Sequence, residues 1–297
     1  MKIQNHFDID DTHGCIDGLT VEIENIGECV VTTILVVDEQ SSVALGKPIG
    51  KYTSIETEAL KSDDDELLED ISEVIAQKLE KVYELDKIEN ILVIGLGNSF
   101  VEPDSIGPKV VEKLIITKHL KDTPCELPEE ISQIKSLAAF VPGVLGTTGI
   151  ESAKIVKGVV REIKPDIIIA VDSLSSSKFS RVNTVIQISD TGINPGSGIG
   201  NVREGINLET MGVPVIAIGV PTIISANVFA NEVSELVLDA KPGCALNMDE
   251  IRIEQAIREV LGSNDESVYL STKDVQKVVQ RASSIIAGAI NIIVGLW

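Results

Sequence analysis

Hydrophobic positions along this chain follow two different rhythms. Near the N-terminus, residues 20–37 form two strand-like runs joined at Asn25-Ile26-Gly27, the pattern of a β-hairpin. Residues 41–60, punctuated by Gly46, Pro48 and Gly50, read as irregular. A helical period begins near Ser62, where Ser62 and Asp65 spell a capping box. Leu67, Leu68, Ile71, Val74, Ile75, Leu79 and Val82 then share one face. From residue 91 onward, short continuous apolar runs alternate with amphipathic ones. Strands are predicted over 91–94, 137–141, 167–171, 184–189 and 214–220. Helices are predicted over 108–120, 149–163, 225–238, 248–261 and 272–286, with Thr148 and Glu151 capping the second and Pro165 stopping it.

Continuously apolar strands separated by helices predict an α/β fold: a mainly parallel sheet with helices on both faces, preceded by the hairpin. No linker or repeat divides the chain. It reads as one domain over 1–297, with the hairpin and irregular segment in 1–60 and the α/β core in 62–297. Residues 121–134 read as a mobile insertion.

Composition narrows the class. Hydrophobic residues make up 43% of the 297 and aromatics only 3%, so the core is aliphatic. With 25 Lys+Arg against 46 Asp+Glu, the net charge of −21 repels nucleic acid and anionic membranes, while a basic or extended protein substrate is tolerated. The N-terminal residues lack the apolar run of a signal peptide, and the apolar tail 285–297 is too short to span a bilayer, so it reads as a buried terminal element. Four cysteines without paired spacing fit reduced thiols in the cytoplasm.

Several chemistries are absent. The three histidines, His6, His13 and His119, lie outside the predicted strand-end loops, which leaves no base for a serine or cysteine nucleophile. No HExxH or Cys/His cluster offers a metal site. Gly95-Leu96-Gly97 starts like a dinucleotide fingerprint but meets Phe100 at the third glycine position, and the glycines Gly196, Gly198 and Gly200 meet Asn201. Gly50-Lys51 runs into Tyr52 where a P-loop needs Ser or Thr. No cofactor is expected.

Carboxylates remain. Asp104 and Asp172 each follow a buried strand, at the place where open α/β sheets collect their chemistry. Taken singly, Asp104 reads equally as a helix N-cap and Asp172 as a turn-stabilising residue. Together they could share a proton and activate water. Gly95, Gly97, Asn98 and the loop 192–200, with Gly196 and Gly198, would shape the cleft and let an extended backbone approach. Asp190, in the sequence Asp-Thr-Gly, either shapes that loop or lines the site. Arg181 and Arg203 could hold a substrate carboxylate.

At this point the residues carry a likeness. GLGNSFVEPDSIGPKVV from residue 95, VPGVLGTTGIESAKIVKGVVREIKPDIIIAVDSL from 141, RVNTVIQISDTGINPGSGIGNVR from 181 and GVPVIAIGVPT from 212 resemble the germination protease family of spore-forming Firmicutes. ALGKPIGKYTSIE from 44 also looks like that family, and the likeness runs from about residue 18 to the C-terminus. The resemblance implies an atypical aspartic endopeptidase that degrades small acid-soluble spore proteins when germination begins. It further implies a zymogen that removes a short pro-segment, a homotetramer, residence in the forespore and spore core, and a fold like that of the hydrogenase maturation proteases. The family's proposed catalytic aspartates fall on Asp104 and Asp172.

Two departures are visible. The family's Arg-Thr-Asp-Leu-Ala motif is replaced by His6-Phe7-Asp8-Ile9-Asp10, and Ser173, Ser175 and Ser177 stand where the family favours Ala and Arg. Two competing readings therefore stay open: a metal-dependent protease of the hydrogenase-maturation type, and a catalytically silent relative that binds spore proteins.

Overall fold

A computed structural model describes residues 19–83, 85–123, 128–195, 204–239 and 268–296. Among them, nine strands form one sheet in the order β1-β2-β3-β7-β8-β6-β4-β5, with β9 pairing β8. The strands are β1 (Leu19–Ile26), β2 (Cys29–Val36), β3 (Gly50–Glu56), β4 (Asn90–Gly95), β5 (Ser136–Phe140), β6 (Ile167–Ser176), β7 (Val185–Ser189), β8 (Val215–Ser225) and β9 (Tyr269–Leu270). The helices are α1 (Glu39–Leu45), α2 (Glu66–Glu80), α3 (Ile106–Lys113), α4 (Lys118–Lys121), α5 (Glu129–Ser132), α6 (Leu145–Thr148), α7 (Ser152–Ile163), α8 (Leu208–Met211), α9 (Ala226–Asp239) and α10 (Val275–Val294). The predicted helix over 248–261 lies outside the described residues.

The α/β class and the hairpin are as the sequence predicts, but the sheet is mixed. Strands β5, β4, β6 and β8 pair in parallel, whereas β8-β7, β7-β3, β3-β2 and β2-β1 are all antiparallel. The physical reason is connection length. β7 follows β6 after a short 3-10 turn, too short for the crossover that a parallel neighbour requires. The N-terminal strands β1, β2 and β3 then extend the same sheet beyond β7.

Alternation in the central strands builds two cores. Ile91 and Val93 of β4, with Ile167, Ile169 and Val171 of β6, pack with α2, α3 and α10 on one face. Leu92 and Ile94, with Ile168 and Ala170, pack on the other with Ala153, Val156 and Val160 of α7. Both faces being apolar is what erased the polar alternation from the sequence. Truncating one of these fully buried side chains, such as Ile169→Ala, costs about 2–5 kcal/mol.

Four local expectations change. The segment taken as irregular holds α1, capped reciprocally by Asp38 and Ser41 and closed by Gly46 at φ 65°, and β3. The capping box at Ser62 is not formed: α2 starts at Glu66, and Ser62 accepts only the Asp64 amide. Thr148 likewise caps nothing in α7; its hydroxyl bonds around the Gly149 turn that ends α6. The helix expected over 108–120 breaks after Lys113, because Leu114 turns extended. Of the predicted insertion 121–134, residues 124–127 lie outside the described residues, and α5 occupies part of the rest.

The apolar tail belongs to α10, a 20-residue helix that satisfies a membrane span by length and composition alone. Its apolar residues, among them Val278, Ile285, Ile286 and Ile290, are buried in the core. Arg281 docks the helix, donating from Nε to the Ala59 carbonyl at 3.0 Å and pairing with Asp65 at 2.9 Å.

Candidate active site

Strands β4 and β6 are neighbours, paired through Gly95 and Val171, and each delivers one aspartate to the same end of the sheet. They do so differently. Asp172 does not follow its strand, as the sequence suggested, but lies inside it: β6 runs on through the serine-rich stretch to Ser176, held by β8. Asp104 lies in the 3-10 turn Glu102–Asp104 between β4 and α3. It does not cap α3, whose N-cap is Ser105 with no side-chain cap bond. The cap reading of Asp104 is thereby removed. The turn-stabilising reading of Asp172 is partly met, since its Oδ1 accepts the Ser173 amide at 2.9 Å.

Glycines let the two strand ends close on each other. A Cβ on Gly107 would lie 2.2 Å from the Leu96 carbonyl oxygen and 2.6 Å from that of Val171, so α3 can start directly on the strand ends only without one. A Cβ on Gly95 would meet the Gly107 oxygen at 2.3 Å. Gly97, at φ +109°, would place a Cβ 2.1 Å from the Asp104 oxygen and 3.2 Å from its Oδ1. At both positions a Cβ would meet the protein's own backbone, so the local packing itself requires glycine. Asn98 shapes the same turn, donating its amide to the Asp104 carbonyl at 2.9 Å and accepting the Phe100 amide on Oδ1 at 3.0 Å.

Among the described carboxylates, Asp104 and Asp172 are raised far above the ordinary range. Asp172 is 7% exposed. Burial first, and the Asp104 charge second, push its carboxyl up to about 8, against the lowering effect of the Ser173 amide. Burial likewise pushes Asp104 up to about 6, with the Asn98 amide opposing. A low-dielectric setting disfavours the charged form of each, and two charges together disfavour it further. Each carboxyl therefore keeps its proton to a higher pH than an exposed aspartate does.

Asp190 is elsewhere. Along β8, Gly219 stands level with Asp172, while Ser189 stands level with Ala217, and β7 runs the opposite way. Asp190 therefore continues away from the pair. Its Oδ1 accepts the Lys51 amide at 2.8 Å and so ties β7 to β3, and burial raises its carboxyl above the ordinary range. It neither lines the site nor faces the pair. Arg181 is also committed to the fold: it is buried, donates to Ser54 at 2.8 Å and pairs with Glu56 at 3.1 Å. Gly196, Gly198 and Arg203 lie outside the described residues, as do His6 and His13. His119 is in α4. Among the described residues, no three His, Cys, Asp or Glu side chains converge to hold a metal.

One contact near the pair had no signature in sequence. Thr222 of β8 donates its hydroxyl to the Pro103 carbonyl, next to Asp104, at 2.6 Å. A threonine within an apolar run looks like any strand residue. Only the register of β8 reveals it.

Comparison with known proteins places this geometry. Residues 1–243 match the family model described as germination protease. A germination protease of Clostridium perfringens is 39% identical over 288 residues, covering 93% of this chain and 88% of the relative. One from Clostridium tetani is 40% identical over 290 residues, covering 94% and 89%. Among solved structures, the [NiFe] hydrogenase maturation protease HycI from Thermococcus kodakarensis is similar at a TM-score of 0.32 and 20% identity, covering 55% of this chain and 97% of that one. With likeness of this extent to its relatives, the chain belongs to the germination protease family.

Proposed function

We propose that this protease is an aspartate-pair endopeptidase that degrades small acid-soluble spore proteins at the start of germination. The observation that carries the mechanism is the pairing of Asp104 with the buried Asp172, both pushed upward, one about 6 and one about 8. The pair titrates jointly and holds one proton between those values. Deeper burial favours Asp172 as the proton holder. In this reading Asp172 donates a hydrogen bond to the scissile carbonyl oxygen while the Asp104 carboxylate takes a proton from water. The hydroxide so formed attacks the carbonyl carbon. Collapse of the tetrahedral species breaks the C–N bond as the proton on Asp104 passes to the departing amine.

Family membership supports the substrate, and so does the charge of −21, which suits a substrate freed from nucleic acid rather than nucleic acid itself. The same reading extends to a homotetramer, to synthesis as a zymogen in the forespore and to action in the spore core. The test is incubation of purified protein with a small acid-soluble spore protein, comparing wild type with Asp104→Asn and Asp172→Asn. Cleavage by wild type and by neither folded variant supports the proposal. Cleavage by both variants removes the aspartate pair, and wild type that binds but never cleaves favours a silent relative.

A further inference from the structure

Thr222 is the extra residue of a bulge in β8. Leu174 and Ser175 are consecutive on β6, yet their partners on β8 are Pro221 and Ile223, so Thr222 falls between registers. A bulge bends its strand and re-aims the side chain at the extra position, and such features recur beside active sites. Here the Thr222 side chain, 1% exposed, reaches the 3-10 turn carrying Asp104 and donates from Oγ1 to the Pro103 carbonyl at 2.6 Å.

The bulge is held from outside. The Thr222 carbonyl accepts the Ser271 hydroxyl at 2.6 Å, beside β9. The Pro221 carbonyl accepts the Asn183 amide at 2.7 Å. Asn183 is itself fully buried at φ 64°, and its Nδ2 donates to Thr272 at 2.7 Å. A buried non-glycine residue in the left-handed region persists only where its surroundings determine it. The chain therefore fixes the bulge with three segments, although a regular β8 would complete the β6 ladder with less constraint.

What the bulge accomplishes follows from the register. Gly219, three residues before Thr222 on the same strand, is the partner of Asp172. The hydrogen bonds Asn98 N to Asp104 O, Val101 N to Asn98 O and Asp104 N to Val101 O close the Asp104 turn upon itself. The bond from Thr222 instead ties that turn to the strand against which Asp172 is registered. We infer that Thr222 is a positioning residue: its hydroxyl sets the separation of the Asp104 and Asp172 carboxyls, and with it the range of pH over which the pair holds a single proton. This rests on the aspartate-pair reading.

The test compares Thr222→Val, which keeps the shape and removes the donor, with Thr222→Ser, which keeps the donor. Two quantities are read: kcat and KM for spore-protein cleavage across pH, and carbon-13 NMR titration of the Asp104 and Asp172 carboxyls. For Thr222→Val we expect kcat to fall roughly 10- to 100-fold, the scale of a sub-ångström to ångström misplacement. KM stays within about two-fold, because no substrate contact is lost. The two apparent carboxyl pKa values draw together as the pair weakens, and Thr222→Ser restores both quantities. A Thr222→Val protein with wild-type titrations, or a kcat loss that Thr222→Ser shares, overturns the inference. Should Thr222→Val not fold, Ser271→Ala loosens the same clamp from outside. A smaller shift in the same direction supports the inference, and unmoved carboxyls overturn it. Retained cleavage by Asp104→Asn and Asp172→Asn would sink the aspartate reading and this inference with it. Inactive aspartate variants beside a wild-type-like Thr222→Val would sink this inference alone.

Discussion

Asp172 is more deeply buried than Asp104 and feels its charge: burial is the larger cause of the raised Asp172 carboxyl, and the Asp104 carboxylate adds to it.

The pH dependence of cleavage follows from that relationship. The proposed mechanism requires one proton on the pair, so kcat should rise as the first carboxyl ionises near pH 6 and fall as the second ionises near pH 8. Steady-state kinetics across pH check the bell. A flat profile from pH 5 to 9 counts against two titrating carboxyls. Either Asp→Asn substitution should lower kcat by about 10²–10⁴-fold, the usual contribution of a positioned acid or base.

Stability should move the opposite way from that of an ion-paired carboxylate. A carboxyl raised in the folded state binds its proton more tightly there than when unfolded, so its contribution is full below the unfolded value near 3.8 and is lost as pH rises through about 8. The fold therefore weakens across that window. Asp172→Asn, which cannot ionise, should gain stability relative to wild type as pH rises from 5 to 8. Calorimetry at pH 5 and pH 8 checks the sign: the gap between variant and wild type must widen with pH.

Gly97 should tolerate no side chain. Gly97→Ala combines a positive φ with a Cβ 2.1 Å from the Asp104 carbonyl oxygen, a backbone atom that cannot swing aside. Loss of about 2–4 kcal/mol is expected from strain and overpacking together. Urea unfolding measures it, and cleavage by the folded fraction should fall as well, because the atom displaced belongs to Asp104.

Asp190 separates structure from catalysis. Asp190→Ala removes the acceptor of the Lys51 amide and should cost about 1–3 kcal/mol. Both limbs of the pH profile should stay where they are, since Asp190 points away from the pair. A moved limb would return Asp190 to the site.

The sequence by itself determined the α/β class, the hairpin and the central strands, because β-branched runs with both faces buried leave a pattern that needs no partner to be read. It also singled out Asp104 and Asp172, since a carboxylate at the end of an apolar run has few uses, and the family's ordered motifs fell on the same two residues. It missed β3 and α1, whose stabilising partners, Asp38 with Ser41 and the β7 ladder, were not evident from local pattern. It left Asp190 either shaping the loop that follows it or lining the site, because sequence order carries no information on strand direction; the short connection after β6 reverses β7 and sends Asp190 the other way. It gave Gly95 and Gly97 a cleft-shaping role, and only the tertiary structure shows that a Cβ there would meet Gly107 of α3 and Asp104 of the 3-10 turn. Tertiary structure alone decided what brings the aspartates together electrostatically: the burial that raises both carboxyls, the Asp104 charge that raises Asp172 further, and a bulge in β8 that brings Thr222 to the turn beside Asp104. Both are properties of distance between segments far apart in the chain, and distance is what a linear pattern does not encode.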